Sequence, residues 1–217
     1  MKNYIIFGDS PFAERLSKYI LFEGVDNLLG FTQDDEFCSR YCILDLPVIP
    51  LSKLKERFDD GVEILLAVGY TQMNDLRERI YRMLKNKGFR IGSWVSVNAI
   101  SYSNLIGEGS IILPNTMIGP GCEIGKCNFL ESSVSISHDN NVGDFNFFST
   151  GVVVGGMATI KNHCFFGLNS TIKSDIVMND YTLLGSACNM LKDSISMGAY
   201  VGNPARLLQK RSVELKI

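Results

Sequence analysis

The chain has 217 residues, 46% of them hydrophobic, and 21 Lys+Arg set against 23 Asp+Glu leave a formal net charge of -2. That length buries a proper core, either as one large domain or as a small domain joined to a medium one. The near balance of charge offers no global field to draw in nucleic acid or anionic lipid, so small molecules or further copies of the chain are the expected partners. No apolar run approaches the roughly 20 residues that span a bilayer. The opening MKNYIIFGDS is broken by Gly8-Asp9-Ser10 before it could act as a secretory signal, and the six cysteines show no C-x-x-C pair. They are expected to be reduced thiols of a soluble, cytoplasmic protein.

From Met1 to about Arg90 strands and helices alternate. NYIIFG is a buried strand running into Gly8-Asp9-Ser10-Pro11, and FAERLSKYILFEG follows with Phe12, Leu16, Tyr19 and Ile20 at helical spacing. NLLGFTQDDE predicts a strand ending in acidic residues, and LPVIPLSKLKERF an extended piece leading to a helix. EILLAVGY is a further buried strand. TQMNDLRERIYRMLKNKG predicts a helix with Met73, Leu76, Ile80 and Leu84 on one face and Gly88 to end it. This order predicts a small parallel, Rossmann-like α/β domain over residues 1–92.

After Trp94 the pattern changes. Stepping by six from Ile100 to Met190 meets an aliphatic or aromatic residue every time. The residue after it is often glycine, as at Gly107, Gly119, Gly143 and Gly167, and the residue two before it is usually small or Asn. A period of six fits neither strand alternation nor the 3.6-residue helix. It fits a parallel β-solenoid over residues 93–217 in which each hexapeptide makes one short strand and one turn, three to a coil. Residues 18 apart should then stack, with Phe148 lying between Leu130 and Phe166, and Leu184 following.

The register isolates His138, one of only two histidines. It falls two residues past the inward Ile136, at an outward or turn position, and one coil later its column holds Gly156. A histidine with room beside it and a bare backbone N–H opposite is what acyl transfer needs, and Asp139 can orient the imidazole. His163, in IKNHCFF, has no neighbouring carboxylate in sequence and is expected in a solvated turn. Cys164 and Cys188 fall at the small-residue position, where packing accounts for them.

The hexapeptide register, the ending YVGNPARLL and the N-terminal strand-glycine-helix unit together resemble the left-handed β-helix acyltransferases. More narrowly, the chain resembles sugar acyltransferases of the sialic acid O-acetyltransferase type, including bacterial N-acetyltransferases of nucleotide-linked 4-amino-4,6-dideoxy sugars. The resemblance spans essentially the whole chain. It implies a left-handed β-helix, acetyl-CoA or another acyl-CoA as co-substrate, no metal, and a homotrimer with sites between subunits. It further implies that His138 is the general base with Asp139 beside it, and that the Gly156 N–H holds the thioester carbonyl. Leu168, Gly185 and Ser186 would lie along the pantetheine arm. Gly8, Asp9 and Ser10 would face the nucleotide-sugar, Asp34 and Asp35 the base or ribose, and Gly69 would close that pocket. The chain departs from the family pattern in having GDSPF at the first turn, Asp139 where Glu is common, and Phe147 where some relatives carry a second histidine. Transfer to a sugar hydroxyl and a non-catalytic nucleotide-binding scaffold remain alternative readings. A zinc carbonic anhydrase on the same fold would need three histidine ligands, and the chain has two.

Overall fold

The computed structural model describes residues 1–58 and 61–215. The apolar run Asn3–Phe7 forms β1, buried on both faces between Asn27–Gln33 (β2) and Val62–Leu66 (β5), both parallel to it. Leu46–Pro50 (β4) adds parallel to β2, and Cys42–Ile43 (β3) closes that edge as a two-residue antiparallel strand. The sheet order is β3-β4-β2-β1-β5, so the expected parallel sheet is mixed at one edge. Ser10 caps helix α1 (Pro11–Glu23), its hydroxyl accepting the Ala13 N–H, and Gly24 ends it with a left-handed φ of 62°. A four-residue helix, α2 (Leu54–Arg57), follows β4.

Helix α3 runs over Asp75–Asn86, four residues later than its periodicity suggests. Gln72, Met73 and Asn74 all take positive φ (55°, 51° and 70°), which no helix accommodates. Met73 leaves the helix face and packs instead with Leu183 and Ala199 of the solenoid, while Leu76, Ile80 and Leu84 cover the sheet.

The hexapeptides form a left-handed β-helix of three parallel sheets. Leu130 pairs with Phe148, Phe148 with Phe166 and Phe166 with Leu184, the 18-residue stacking expected of three strands per coil. Inward residues from Ile112 to Met190 make one continuous core. Ile100 does not join it. Its strand pairs with Met117 rather than Ile118, a step of 17, and its side chain is 57% exposed. Cys122, Cys164 and Cys188 are buried in the small-residue position, and burial pushes the Cys164 thiol up to about 12.

The α/β unit docks on one of the three faces. Outward residues there (Ile111, Phe129 and Phe147) are buried in a cluster with α1 and the sheet. Phe129 and Phe147 stack at 5.3 Å, Phe147 and Phe165 at 5.8 Å, and Phe12 of α1 lies 4.7 Å from Phe129. Polar ties lock the junction. Tyr4 Oη donates to Ser93 O (2.8 Å), and the Glu23 carboxylate accepts from Ser96 Oγ, the Val97 N–H and Asn98 Nδ2. No helix among the described residues is long and apolar enough to cross a membrane.

Candidate active site

His138 and Asp139 follow Ile136 on the turn that leaves the second face of the solenoid. Asp139 holds a φ of 55°, a left-handed position that Asp tolerates better than most residues, and its N–H donates to Pro120 O. This bend turns the carboxylate back on its neighbour. Asp139 Oδ2 lies 2.8 Å from His138 Nδ1, which leaves Nε2 as the free ring nitrogen. The imidazole is half exposed and the carboxylate more so.

Gly156 sits beneath the ring, one coil on. A Cβ there would fall 2.5 Å from His138 Nε2 and 2.6 Å from Cε1, so only glycine leaves room for this rotamer. The Gly156 carbonyl accepts the Asp175 N–H at 3.0 Å, whereas its own N–H has no partner among the described residues. A ring nitrogen that can take a proton and an unpaired backbone donor thus share one corner of the solenoid. Together they can serve an attacking nucleophile and a developing oxyanion.

A second feature lies at the preceding corner. A cavity of about 560 Å³ opens between the start of α1 and the docking face, walled by Pro11, Phe12, Arg15, Tyr70, Phe147 and Phe165 and floored by Glu131, Ser149, Thr150, Gly167, Leu168 and Ser186. Tyr70 meets Phe147 edge-on at 4.9 Å. Thr150, Leu168 and Ser186 are one column at 18-residue spacing, so the structure brings Leu168 and Ser186 together as expected. Gly185 lies one residue outside the cavity lining, its N–H donating to Tyr200 O. Phe147, the departure from a second histidine, is 2% exposed and belongs to the aromatic stack that docks the α/β unit.

The residues expected to face a nucleotide-sugar gather at one end of the sheet. Because β2, β1 and β5 are neighbours and parallel, the segments that follow them (Asp34 and Asp35, Gly8 to Ser10, and Gly69) lie at the same carboxyl end of the sheet, where open α/β sheets bind ligands. Gly8, with φ 119°, would bring a Cβ within 3.1 Å of Ala67 O. Asp35 is already committed. Its carboxylate accepts the Ser52 N–H at 3.0 Å, and hydrogen bonding by the Ser52 side chain, then by this N–H, holds its pKa below the usual range.

The expectation for His163 is overturned. It is 6% exposed, Nδ1 lies 3.3 Å from Asp75 Oδ1, and Nε2 lies 3.1 Å from Glu78 Oε2. Phe145 and Tyr181 stack on its two faces at 5.3 and 4.7 Å. The carboxylates come from α3, far away in sequence, which is why the neighbours of His163 in the chain gave no hint of them. Sequence reading also missed Arg77, a guanidinium 1% exposed, and Glu131, a carboxylate 6% exposed in the cavity floor.

By fold, a small α/β sheet docked on a hexapeptide left-handed β-helix, the chain is similar to solved sugar N-acetyltransferase structures. No family model matches it. GDP-perosamine N-acetyltransferase of Escherichia coli O157:H7 is 25% identical over 232 residues, covering 97% of this chain and 98% of that protein. 2,3,4,5-tetrahydropyridine-2,6-dicarboxylate N-succinyltransferase of Dechloromonas aromatica (strain RCB) is 24% identical over 162 residues, 73% of this chain, and the match spans only 52% of that enzyme. Among solved structures, PerB from Caulobacter crescentus in complex with CoA and GDP-perosamine superposes with a TM-score of 0.83 at 17% identity, covering 96% of this chain and 98% of the other.

Proposed function

We propose that the protein transfers an acyl group, acetyl by default, from an acyl-CoA to the amino group of a nucleotide-linked amino-deoxy sugar. The observation that carries this reading is the His138–Asp139 pair standing over the unpaired N–H of Gly156. The sugar amine attacks the thioester carbonyl, and His138 Nε2 takes the proton that nitrogen sheds. The Gly156 N–H holds the oxyanion, a contact worth about 3 kcal/mol at analogous sites. As the C–S bond breaks, the proton passes to the CoA sulfur, giving amide and free thiol without an acylated enzyme.

In this reading residues 1–92 hold the nucleotide-sugar and residues 93–217 form the acyl-transfer solenoid; residues 216 and 217 lie outside those described. Gly8, Asp9, Ser10, Asp34, Asp35 and Gly69 face the nucleotide, and Leu168, Gly185 and Ser186 follow the pantetheine arm. The cavity and His138 occupy different corners of one solenoid, which supports a homotrimer in which one copy's His138 meets its neighbour's cavity. Exposed Val153, Met157 and Leu168 offer apolar surface for that contact. The reaction is assigned to the cytoplasm, where CoA thioesters are held.

The test is thiol release from acetyl-CoA with a panel of UDP-, dTDP- and GDP-linked 4-amino-4,6-dideoxy sugars, run beside His138→Ala. Release with one sugar and a loss of roughly 10²–10⁴-fold in the variant are expected. Undiminished turnover without the imidazole would remove His138 from the mechanism.

A further inference from the structure

Glu131 is out of place in its column. It follows the inward Leu130, at the repeat position that is glycine at Gly119, Gly143, Gly155 and, two coils further along its own column, Gly167. A carboxylate there is 6% exposed, and burial raises its pKa even with Arg15 beside it. Burying a charge costs free energy unless its lone pairs are used.

Arg15 uses only part of them. Its Nη2 pairs with Glu131 Oε1, while Oε2 has no hydrogen-bond partner among the described residues. The guanidinium is itself about half exposed and lies over the Phe12 ring. A tether between α1 and the solenoid does not explain the residue, because Glu23, Tyr4 and the aromatic stack already make that junction.

Among the described residues, Arg15 and Glu131 are the only charged groups lining the cavity, and the rest of its lining is aromatic or hydroxylic apart from Pro11, Gly167 and Leu168. Aromatic walls suit a deoxygenated sugar face, and a carboxylate oxygen with no partner suits a cation. Resting on the reading above, we propose that Glu131 recognises the amine of the acceptor, with the hydroxyls of Ser149 and Thr150 beside it, and so selects amino sugars over their hydroxyl counterparts.

The chemistry favours this choice. An amino group arriving as ammonium offers three N–H donors to Oε2 and the two hydroxyls, whereas a hydroxyl brings one donor and no charge, leaving the buried carboxylate undercompensated. Sites built around a polar partner reject analogues that lack it more strongly than apolar pockets do. Burial also makes Glu131 a better proton acceptor than a carboxylate in water. It can therefore take one proton from the ammonium and pass it to solvent through the cavity mouth, leaving the neutral amine that attack requires, and His138 of the neighbouring copy takes the second after attack and hands it to the CoA sulfur.

The experiment is calorimetric titration of wild type, Glu131→Gln and Arg15→Met with matched pairs of GDP-, dTDP- and UDP-linked 6-deoxyhexoses, amine or hydroxyl at C4. Turnover with acetyl-CoA is followed in the same samples. Wild type is expected to prefer one amino sugar over its hydroxyl twin by roughly 10- to 100-fold, the range of one hydrogen bond to a charged group. Glu131→Gln should lose that preference with CoA affinity unchanged, and Arg15→Met, which breaks the same ion pair from the other side, should keep it. A preference that survives in Glu131→Gln, or is lost equally in Arg15→Met, overturns the proposal, as does wild type binding no amino sugar more tightly than its twin. The turnover record reports separately on the acyltransferase reading, since selective binding without thiol release would sink that reading and leave this one standing.

Discussion

Replacing Arg77 by methionine removes a guanidinium that is 1% exposed and faces no carboxylate among the described residues. It donates from Nε to Cys127 O (3.0 Å), from Nη1 to Val68 O and Gly69 O (both 3.2 Å), and from Nη2 to Asn74 Oδ1, Phe145 O and Asn146 O (3.0, 3.2 and 3.1 Å). The Asn146 carbonyl also accepts the Phe129 N–H, so it keeps a partner. Val68, Gly69, Cys127 and Phe145 carbonyls and Asn74 Oδ1 would lose theirs. At about 1 kcal/mol for each of these five acceptors the loss approaches 5 kcal/mol, and water entering the gap brings the expectation to about 3–5 kcal/mol. That is a large share of the 5–15 kcal/mol typical of a domain. Arg77→Lys should recover less than half of it, because an ammonium has three donors and cannot reach acceptors on both sides of the gap. Burial lowers the Arg77 pKa to about 10, which still leaves it charged at neutral pH. Urea unfolding followed by the fluorescence of Trp94, the single tryptophan, reads the effect where α/β unit and solenoid meet. A methionine variant within 1 kcal/mol of wild type, or a lysine variant equal to it, would refute the reasoning.

Gly156→Ala should reproduce the kinetic loss of His138→Ala, roughly 10²-fold or more, because the new Cβ evicts the imidazole without removing it; wild-type turnover in the alanine variant would contradict the geometry. His163→Phe keeps the stacking but leaves the Asp75 and Glu78 carboxylates facing an apolar ring, so thermal melts should show a loss of about 1–3 kcal/mol that adding Glu78→Gln partly restores. Equal melting of His163→Phe and wild type would show that the Asp75 and Glu78 contacts add nothing to stability. Glu131, with its folded pKa raised by burial, favours folding most in acid, and that contribution fades as pH rises through the folded pKa. Unfolding of wild type against Glu131→Gln should therefore show wild type relatively more stable at pH 4.5 than at pH 7.5; the opposite trend would mean that the Arg15 pairing outweighs burial.

The solenoid was legible because a hexapeptide repeat is a local rule, restated in every coil by the inward residue and the small residue before it. The α/β unit was legible for a similar reason, as strand and helix periods are visible within ten residues. What failed were positions decided from a distance. Ile100 has the right spacing but begins the solenoid, where a 17-residue step changes the register. Thr71 to Asn74 read as the first turn of a helix, yet Gln72, Met73 and Asn74 are left-handed and Met73 packs on the outside of the solenoid against Leu183 and Ala199. The outward positions held more information than periodicity extracted. Ile111, Phe129, Phe147, Phe165 and Leu183, at 18-residue spacing, are large and apolar, whereas Glu123, Asn141 and Thr159 stand on another face. That contrast marks the face on which the α/β unit docks.

The two histidines show where the limit lies. His138 acquires its setting from residues the register already specifies: Asp139 beside it, and Gly156 one coil away, a distance of 18 residues that the repeat converts into contact. His163 stands one place later in its hexapeptide, at a left-handed turn position stacked between Phe145 and Tyr181 of its own column, but its carboxylate partners stand on a helix whose position depends on tertiary docking. Repeat arithmetic works only along the solenoid. Arg77 and Glu131 face the same obstacle, since each is a buried charge with partners in the other unit, Cys127, Phe145 and Asn146 for Arg77 and Arg15 for Glu131. The cavity that Glu131 lines lies at that junction, and its chemistry becomes readable only once the α/β unit is seated on its face.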